Sequence, residues 1–241
     1  MSIFMRYYPG MVLPFSGQTA LVVGSSSGIG LAVSRTLLGL GATVCGVGRH
    51  SVPDIESTTL DLDNRSSCQK VLEMAVCCDI LVVVRGPFYQ ASLEETPSDV
   101  WESLVYANLT FPGQLVSTVL PYMREKHWGR ILLFGGTRTD RIRGFRTNAA
   151  YAAAKTGISS LVLSVAQQYA SEGITCNALC PGFVDSDELD PVKRGELKSK
   201  SPGSVLVSEK EIAAAAEFLL KNPSINGTIL RIDRGWSPSF I

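Results

Sequence analysis

No two cysteines in this chain stand in a C-x-x-C spacing, and the only histidines are His50 and His127, neither with a ligand-spaced neighbour. Zinc ribbons, thioredoxin-like redox pairs and histidine-based metal centres are therefore not expected, and no metal site is assigned. The six cysteines (45, 68, 77, 78, 176 and 180) mostly adjoin valine, leucine or alanine. That pattern suits reduced, buried thiols in a cytoplasmic protein better than a disulfide framework. Charge is sparse as well. Charged residues make up 18% and cancel to a net charge of zero, which removes an electrostatic drive toward nucleic acid. Long apolar runs are missing: residues 80–84 and 161–166 are too short to cross a bilayer, so no membrane partner is expected. Residues 1–16 carry Arg6 and two prolines and lack a signal-peptide core. They read as a lead-in, free to move, before one domain over residues 17–241.

With 241 residues, 45% of them hydrophobic, the chain is long enough for one sizeable core and short for two. Strand-like runs at 19–23, 43–47, 58–62, 80–84, 130–134, 174–179 and 228–232 alternate with helical patterns at 28–40, 66–75, 98–123, 149–170 and 212–220. Alternation of this kind predicts an α/β fold, a single doubly wound parallel sheet with helices on both faces. Right-handed crossovers then put a ligand crevice at the carboxyl ends of the strands.

Two motifs fall at that crevice. Gly24-Ser25-Ser26-Ser27-Gly28-Ile29-Gly30 ends the first strand and opens the first helix. Its glycines allow a tight turn and close backbone approach, and the helix N-terminus offers free N–H groups to a pyrophosphate. Well downstream, Tyr151-Ala-Ala-Ala-Lys155 puts a phenol and an ammonium on one helix face. A cation so placed is expected to lower the tyrosine pKa and make the phenol a usable proton donor and acceptor.

On these two motifs the chain resembles the short-chain dehydrogenase/reductase superfamily, with its Rossmann-type fold, from about residue 17 to 235. The resemblance is to 3-oxoacyl-reductase-like members with an atypical catalytic serine position. It implies an oxidoreductase that moves a hydride between a nicotinamide cofactor and a carbonyl or secondary alcohol. In that frame Tyr151 handles the proton, and Lys155 serves the phenol and the ribose. Asn108 anchors a relay water through its carbonyl, which Pro112, lacking an N–H, leaves free. The implied cofactor contacts are Gly24, Ser26, Ser27, Gly28, Ile29 and Gly30 in the turn, and Asp61 with Leu62 after the third strand. Arg85 and Gly86 follow the fourth strand; Tyr151 and Lys155 recur here; Pro181, Gly182, Val184 and Ser186 follow the sixth.

Several positions depart from the family pattern. Gly48 stands where NAD-preferring sites carry a carboxylate, and Arg49 follows it, which suits the 2′-phosphate of NADP(H); a plain exposed arginine is the competing reading. Val83-Val84-Arg85-Gly86 replaces Asn-Asn-Ala-Gly, and Arg85 is expected to add a phosphate or substrate contact. Gly136 falls where the serine belongs, so Thr137 is expected to turn its hydroxyl toward Tyr151. Arg138, Arg141, Arg143 and Arg146 form either a solvated loop, a subunit contact or a site for an anionic substrate. Glu172 stands where relatives serving acyl carrier protein often have a basic residue, which weakens a fatty-acid reading. Leu161, Val165 and Tyr169 suggest a surface for a homodimer or homotetramer. The alternative is a redox-weak or inactive cofactor-binding protein, a partner subunit or NADPH sensor.

Overall fold

Thr19–Val23 forms β1, and the alternation of its side chains explains the two-layered core. Leu21 and Val23 point to one face of the sheet, Ala20 and Val22 to the other, and all four are buried. The remaining strands are β2 (Thr43–Gly48), β3 (Glu56–Thr59), β4 (Ile80–Val83), β5 (Gly129–Phe134), β6 (Ile174–Pro181), the short β7 (Val184–Asp185) and β8 (Val207–Ser208), and β9 (Ile229–Ile232). Seven of them make one parallel sheet in the order β3-β2-β1-β4-β5-β6-β9, while β7 and β8 pair separately. This computed structural model describes residues 12–187 and 189–236.

Helices α1 (Gly28–Gly39) and α7 (Glu209–Lys221) cover one face through Val33, Leu37, Ile212 and Leu219. The other face is covered by α2 (Arg65–Ala75), α4 (Phe111–Glu125) and α5 (Ala149–Tyr169), through Val71, Phe111, Leu115, Ile158 and Val162. With its 3₁₀ extension, α5 is apolar and long enough to cross a membrane by length and composition. Here it is a core helix with Ala150, Ala154, Ile158 and Val162 buried on one stripe. Val165 is buried in the same core, and Leu161 and Tyr169 pack partly against it. Of the three residues expected to include a partner-facing surface, Val165 thus lies in the chain's own core while Leu161 and Tyr169 are half-buried, and the large apolar residue exposed on this helix is Leu163.

Other expectations shift in register. β3 ends at Thr59, because the Asp61 carboxylate accepts the Asp63 N–H (3.0 Å) and turns the chain. The long middle helix is broken in three: α3 (Ser98–Val105), a π-helical turn (Tyr106–Thr110) and α4. Pro112 supplies no N–H to the Asn108 carbonyl, so the wider turn passes over the gap. The segment after β7 holds α6 (Pro191–Lys200), capped by Asp190. Residues 1–11 of the lead-in lie outside the described residues; Phe15 is docked, buried, edge-on to Trp128.

Ser208 and Glu211 form a reciprocal capping box at the start of α7. Ser208→Ala is expected to lower stability by about 0.5–2 kcal/mol, measured as a shift of the urea midpoint at unchanged slope.

Candidate active site and dinucleotide groove

At the carboxyl ends of β1, β2 and β4 lies a groove of about 480 Å³. Its floor is the glycine turn. Gly24, at φ +95°, donates its N–H to the Val47 carbonyl (2.8 Å). A Cβ on Gly30 would stand 1.7 Å from the Gly24 carbonyl oxygen, so only glycine lets α1 start this close to the turn. Ser26, Ser27, Gly28 and Ile29 also line the groove. Ser27 makes no side-chain cap bond and the first turn of α1 holds no acidic residue, so the helix presents its N-terminus to the groove without competition from its own carboxylates.

The end of β2 has no room for a carboxylate. A Cβ on Gly48 would lie 2.6 Å from Ser26 Oγ. Arg49 is exposed on the groove wall and donates its backbone N–H to that same hydroxyl (3.3 Å). Asp61 and Leu62 line the wall beyond β3, and Arg85 and Gly86 the wall beyond β4. Val184 and Ser186 reach it from the far side, and the Ser186 carbonyl is held by Arg194 (2.8 Å). Pro181 and Gly182 do not form part of the wall; Gly182 packs so tightly on Asp233 that a Cβ would come within 2.7 Å of its side chain. Four wall residues had no signal in the sequence reading: Leu60, Asp63, Pro87 and Glu209. Glu209 belongs to α7, about 180 positions from the glycine turn in the chain, and only the fold brings it there.

Lys155 is buried beside Gly86 and donates from Nζ to the Phe134 carbonyl (2.8 Å). Asn108, fully buried in the π-helical turn, donates from Nδ2 to the carbonyls of Pro87 and Leu104 (3.0 Å each), and its Oδ1 has no partner. Both groups meet the bare face of Gly86: a Cβ there would stand 2.7 Å from Lys155 Nζ and 2.8 Å from Asn108 Oδ1. Burial pushes the Lys155 ammonium down to about 8, with Cys180 opposing and Arg85 adding to the shift. Tyr151 is half-buried by surface yet set deep in the fold. Its phenol is pushed up to about 12, first by burial and then by Cys180. The phenol is thus raised where its i+4 lysine was expected to lower it, and the Lys155 ammonium gives its hydrogen bond to Phe134.

The loop after β5 corrects a second expectation. The residue facing the phenol is Gly136, where a Cβ would come 2.9 Å from the Tyr151 hydroxyl. Thr137 instead donates its hydroxyl to the Pro181 carbonyl (3.1 Å). The Thr139 hydroxyl, fully buried, closes the loop by accepting the Gly136 N–H (2.8 Å) and donating to the Gly136 carbonyl (3.1 Å). Both hydroxyls are taken up by backbone, and Arg138 at φ +62° carries the chain away. Among the loop arginines, Arg141 and Arg143 approach Asp140 (3.6 Å each) and Arg138 lies 5.7 Å from the Trp236 ring centroid. Arg146 is exposed. Phe88, 57% exposed, stands edge-on to Tyr151 at 5.0 Å and gives the phenol an apolar neighbour open to solvent. Among the described residues no cluster of His, Cys, Asp or Glu could hold a metal.

The groove fits a nicotinamide dinucleotide: the turn is one that side chains would fill, and neither Arg85 Nη1 on its wall nor the buried Asn108 Oδ1 beside Gly86 has a hydrogen-bond partner in the protein. A family model described as short chain dehydrogenase matches residues 18–196. The chain is similar to the 3-oxoacyl-(acyl-carrier-protein) reductase FabG of Salmonella typhimurium, 31% identical over 92% of this chain and 98% of that protein. It is 29% identical to a D-beta-hydroxybutyrate dehydrogenase of Cupriavidus necator, over 92% of this chain and 98% of the relative. Among solved structures, a protein from Beutenbergia cavernae assigned as an NAD(P)-dependent gluconate 5-dehydrogenase, with bound NADP at low occupancy, superposes with a TM-score of 0.81 at 28% identity, covering 92% of this chain and 98% of that one.

Because the Tyr151 ring occupies the space a side chain at 136 would need, Gly136→Ser is expected to displace the ring and destabilise the fold by roughly 1–3 kcal/mol. Thermal unfolding and a crystal structure of the variant check this; an unmoved phenol at unchanged stability would contradict it. Lys155 gives a pH signature. Its pKa lies below the unfolded value of about 10.4, so between about pH 8 and 10.4 the unfolded chain binds more protons and stability rises with pH. Urea unfolding at pH 7 and pH 10 should show wild type gaining stability relative to Lys155→Met.

Proposed function

The chain belongs to the short-chain dehydrogenase family of oxidoreductases, and from that premise we propose that it moves a hydride between NADP(H) and the carbon of a small carbonyl compound or secondary alcohol. What supports the reading is the meeting of Lys155 Nζ and Asn108 Oδ1 on the face of Gly86, itself a wall of the dinucleotide groove. Gly24, Ser26, Ser27, Gly28, Ile29 and Gly30 would hold the pyrophosphate by backbone N–H groups and the helix N-terminus. Arg49 would pair with the 2′-phosphate, which meets no carboxylate at Gly48. Asp61 and Leu62 would contact the adenine; Arg85, Gly86, Val184 and Ser186 complete the walls, with Pro181 and Gly182 supporting them from behind.

When bound, the cofactor supplies or accepts the hydride. Tyr151 holds the transferable proton at its phenolic oxygen, and at a native pKa of about 12 it is protonated at neutral pH, which suits proton donation to a carbonyl oxygen. Lys155, with its pKa near 8, keeps a positive charge at neutral pH, and its remaining N–H groups can reach a ribose hydroxyl or a water. The partnerless Oδ1 of Asn108 marks where such a water would be held. Phe88 would shield the reacting end of the substrate. The arginines after Gly136 favour an anionic substrate. A homodimer or homotetramer in the cytoplasm completes the reading.

One observation favours a second reading. With Gly136 beside the phenol and both loop threonines bonded to backbone, the loop after β5 has neither threonine hydroxyl free to polarise a carbonyl there. A missing donor of this kind is worth about 2.7–4 kcal/mol in other enzymes. A redox-weak cofactor binder, acting as a partner subunit or NADPH sensor, would have this site.

Tyr151→Phe is expected to cut NADPH-dependent reduction of a ketone panel by about 10²–10⁴-fold while leaving NADPH affinity nearly unchanged. Arg49→Ala should weaken NADPH and spare NADH in fluorescence titration. NADPH binding with no turnover on any ketone would move the assignment to the second reading; tighter binding of NADH would remove NADP(H) as the cofactor.

A further inference from the structure

Arg85 leaves the main chain beside the glycine turn: a Cβ on Gly24 would stand 2.9 Å from the Arg85 nitrogen. Its guanidinium ends at Asp63, two residues beyond Asp61, where Nη2 donates to the carboxylate. The pair therefore ties the loop after β4 to the loop after β3, although β1 and β2 lie between those strands in the sheet. All the residues concerned line the dinucleotide groove. The two partners are unequal. The Asp63 side chain is 76% exposed and that of Arg85 is 18% exposed, so solvent screens the acid while the cation is held inside. Moreover, Arg85 Nη1 is buried and donates to nothing in the protein. A buried donor on a charged group calls for an acceptor. The groove wall to which Asp63 belongs also holds Leu60, Asp61 and Leu62, and its two leucines suit a nucleobase and its ribose better than a second phosphate.

We propose that Arg85 and Asp63 form an exchangeable clasp over the adenosine half of the cofactor. Arg85 gives its unpartnered nitrogen to an acceptor on the base or ribose and lays its planar guanidinium against the ring. Asp63 competes for the same cation when the groove holds no nucleotide. The inference rests on the dinucleotide reading above and assigns Arg85 a role that does not depend on the 2′-phosphate.

The test is a set of binding titrations, independent of turnover, with NADPH, NADH, ADP and nicotinamide mononucleotide. The proteins are wild type, Arg85→Met, Asp63→Asn and the double variant. Arg85→Met should weaken NADPH, NADH and ADP alike by about tenfold or more and leave the mononucleotide unchanged. Asp63→Asn should tighten the three adenosine ligands several-fold, because the competing carboxylate is gone, and that gain should vanish in the double variant. If the pair merely ties two loops together, Asp63→Asn will weaken binding as Arg85→Met does, and the clasp is refuted. An Arg85→Met effect on NADPH alone would make Arg85 a 2′-phosphate ligand, which also overturns it. Asp63→Asn sits on an exposed loop, so its sign remains readable even if Arg85→Met unfolds. Wild type that binds neither dinucleotide would remove the cofactor reading and the clasp together; wild type that binds both, with all variants unchanged, removes the clasp alone.

Discussion

The pairing of β1 with β2 on one side and β4 on the other is the constraint from which the site follows. Successive crossovers leave β1 in opposite directions along the sheet, so the loops after β1 and β4 part at their carboxyl ends and open a crevice. Gly24 and Arg85 both bond to the end of this strand pair: Gly24 to Val47, and Arg85 through its N–H to the Val23 carbonyl (3.2 Å). The strands themselves are buried on both faces, so their register is set by packing, and the two loops have no freedom to drift apart. The glycine turn, the arginine opposite it and the bare face of Gly86 all inherit their positions from that register.

Around this frame the chain uses absence of side chains as a structural device. Gly30 admits the helix to the turn, Gly48 leaves space for Ser26, Gly86 admits an ammonium and an amide oxygen, and Gly136 admits the phenol. In each case a neighbouring functional group fills the volume where a Cβ would stand. The cost is electrostatic: Lys155 and Tyr151 are packed deep, and burial moves each toward its neutral form, the lysine down and the phenol up. At neutral pH the pair therefore sits as ammonium and phenol, with a gap of several pKa units between them. Charge brought by a ligand is what would alter that balance.

The π-helical turn at Asn108 shows how one residue can shape a site from outside it. Pro112 lies on the next turn, touches none of the reacting groups, and acts only by lacking an N–H. The helix widens, Asn108 turns its amide nitrogen to Pro87 and Leu104, and its oxygen is left facing Gly86. The loop after β4 is thereby tied to the π-helical turn through the Pro87 carbonyl.

Much of this was legible in the sequence. Hydrophobic periodicity located the inner strands of the main sheet, because a strand buried on both faces leaves an apolar run that little else mimics, whereas the polar edge strand β3 was placed two residues late. The glycine spacing marked the floor of the groove, and Tyr151-x-x-x-Lys155 marked two residues of one helix, since turn and helix geometry are local and follow from residue type. The missing N–H of Pro112 was also visible, for the same local reason, though the π-helical turn at Tyr106–Thr110 was not. What the sequence could not decide was how groups from distant segments divide their hydrogen bonds. Thr137 had a free choice of partners until β6 brought the Pro181 carbonyl beside it, and Tyr151 could lean toward residue 136 only once that residue was glycine and close. The phenol's upward pKa shift comes first from its depth in the fold and then from Cys180, a neighbour brought by β6. Asp63, Pro87 and Glu209 joined the groove without any motif of their own. Local geometry is written in neighbouring residues; competition among non-neighbours for one partner or one volume is decided only when the sheet brings them together.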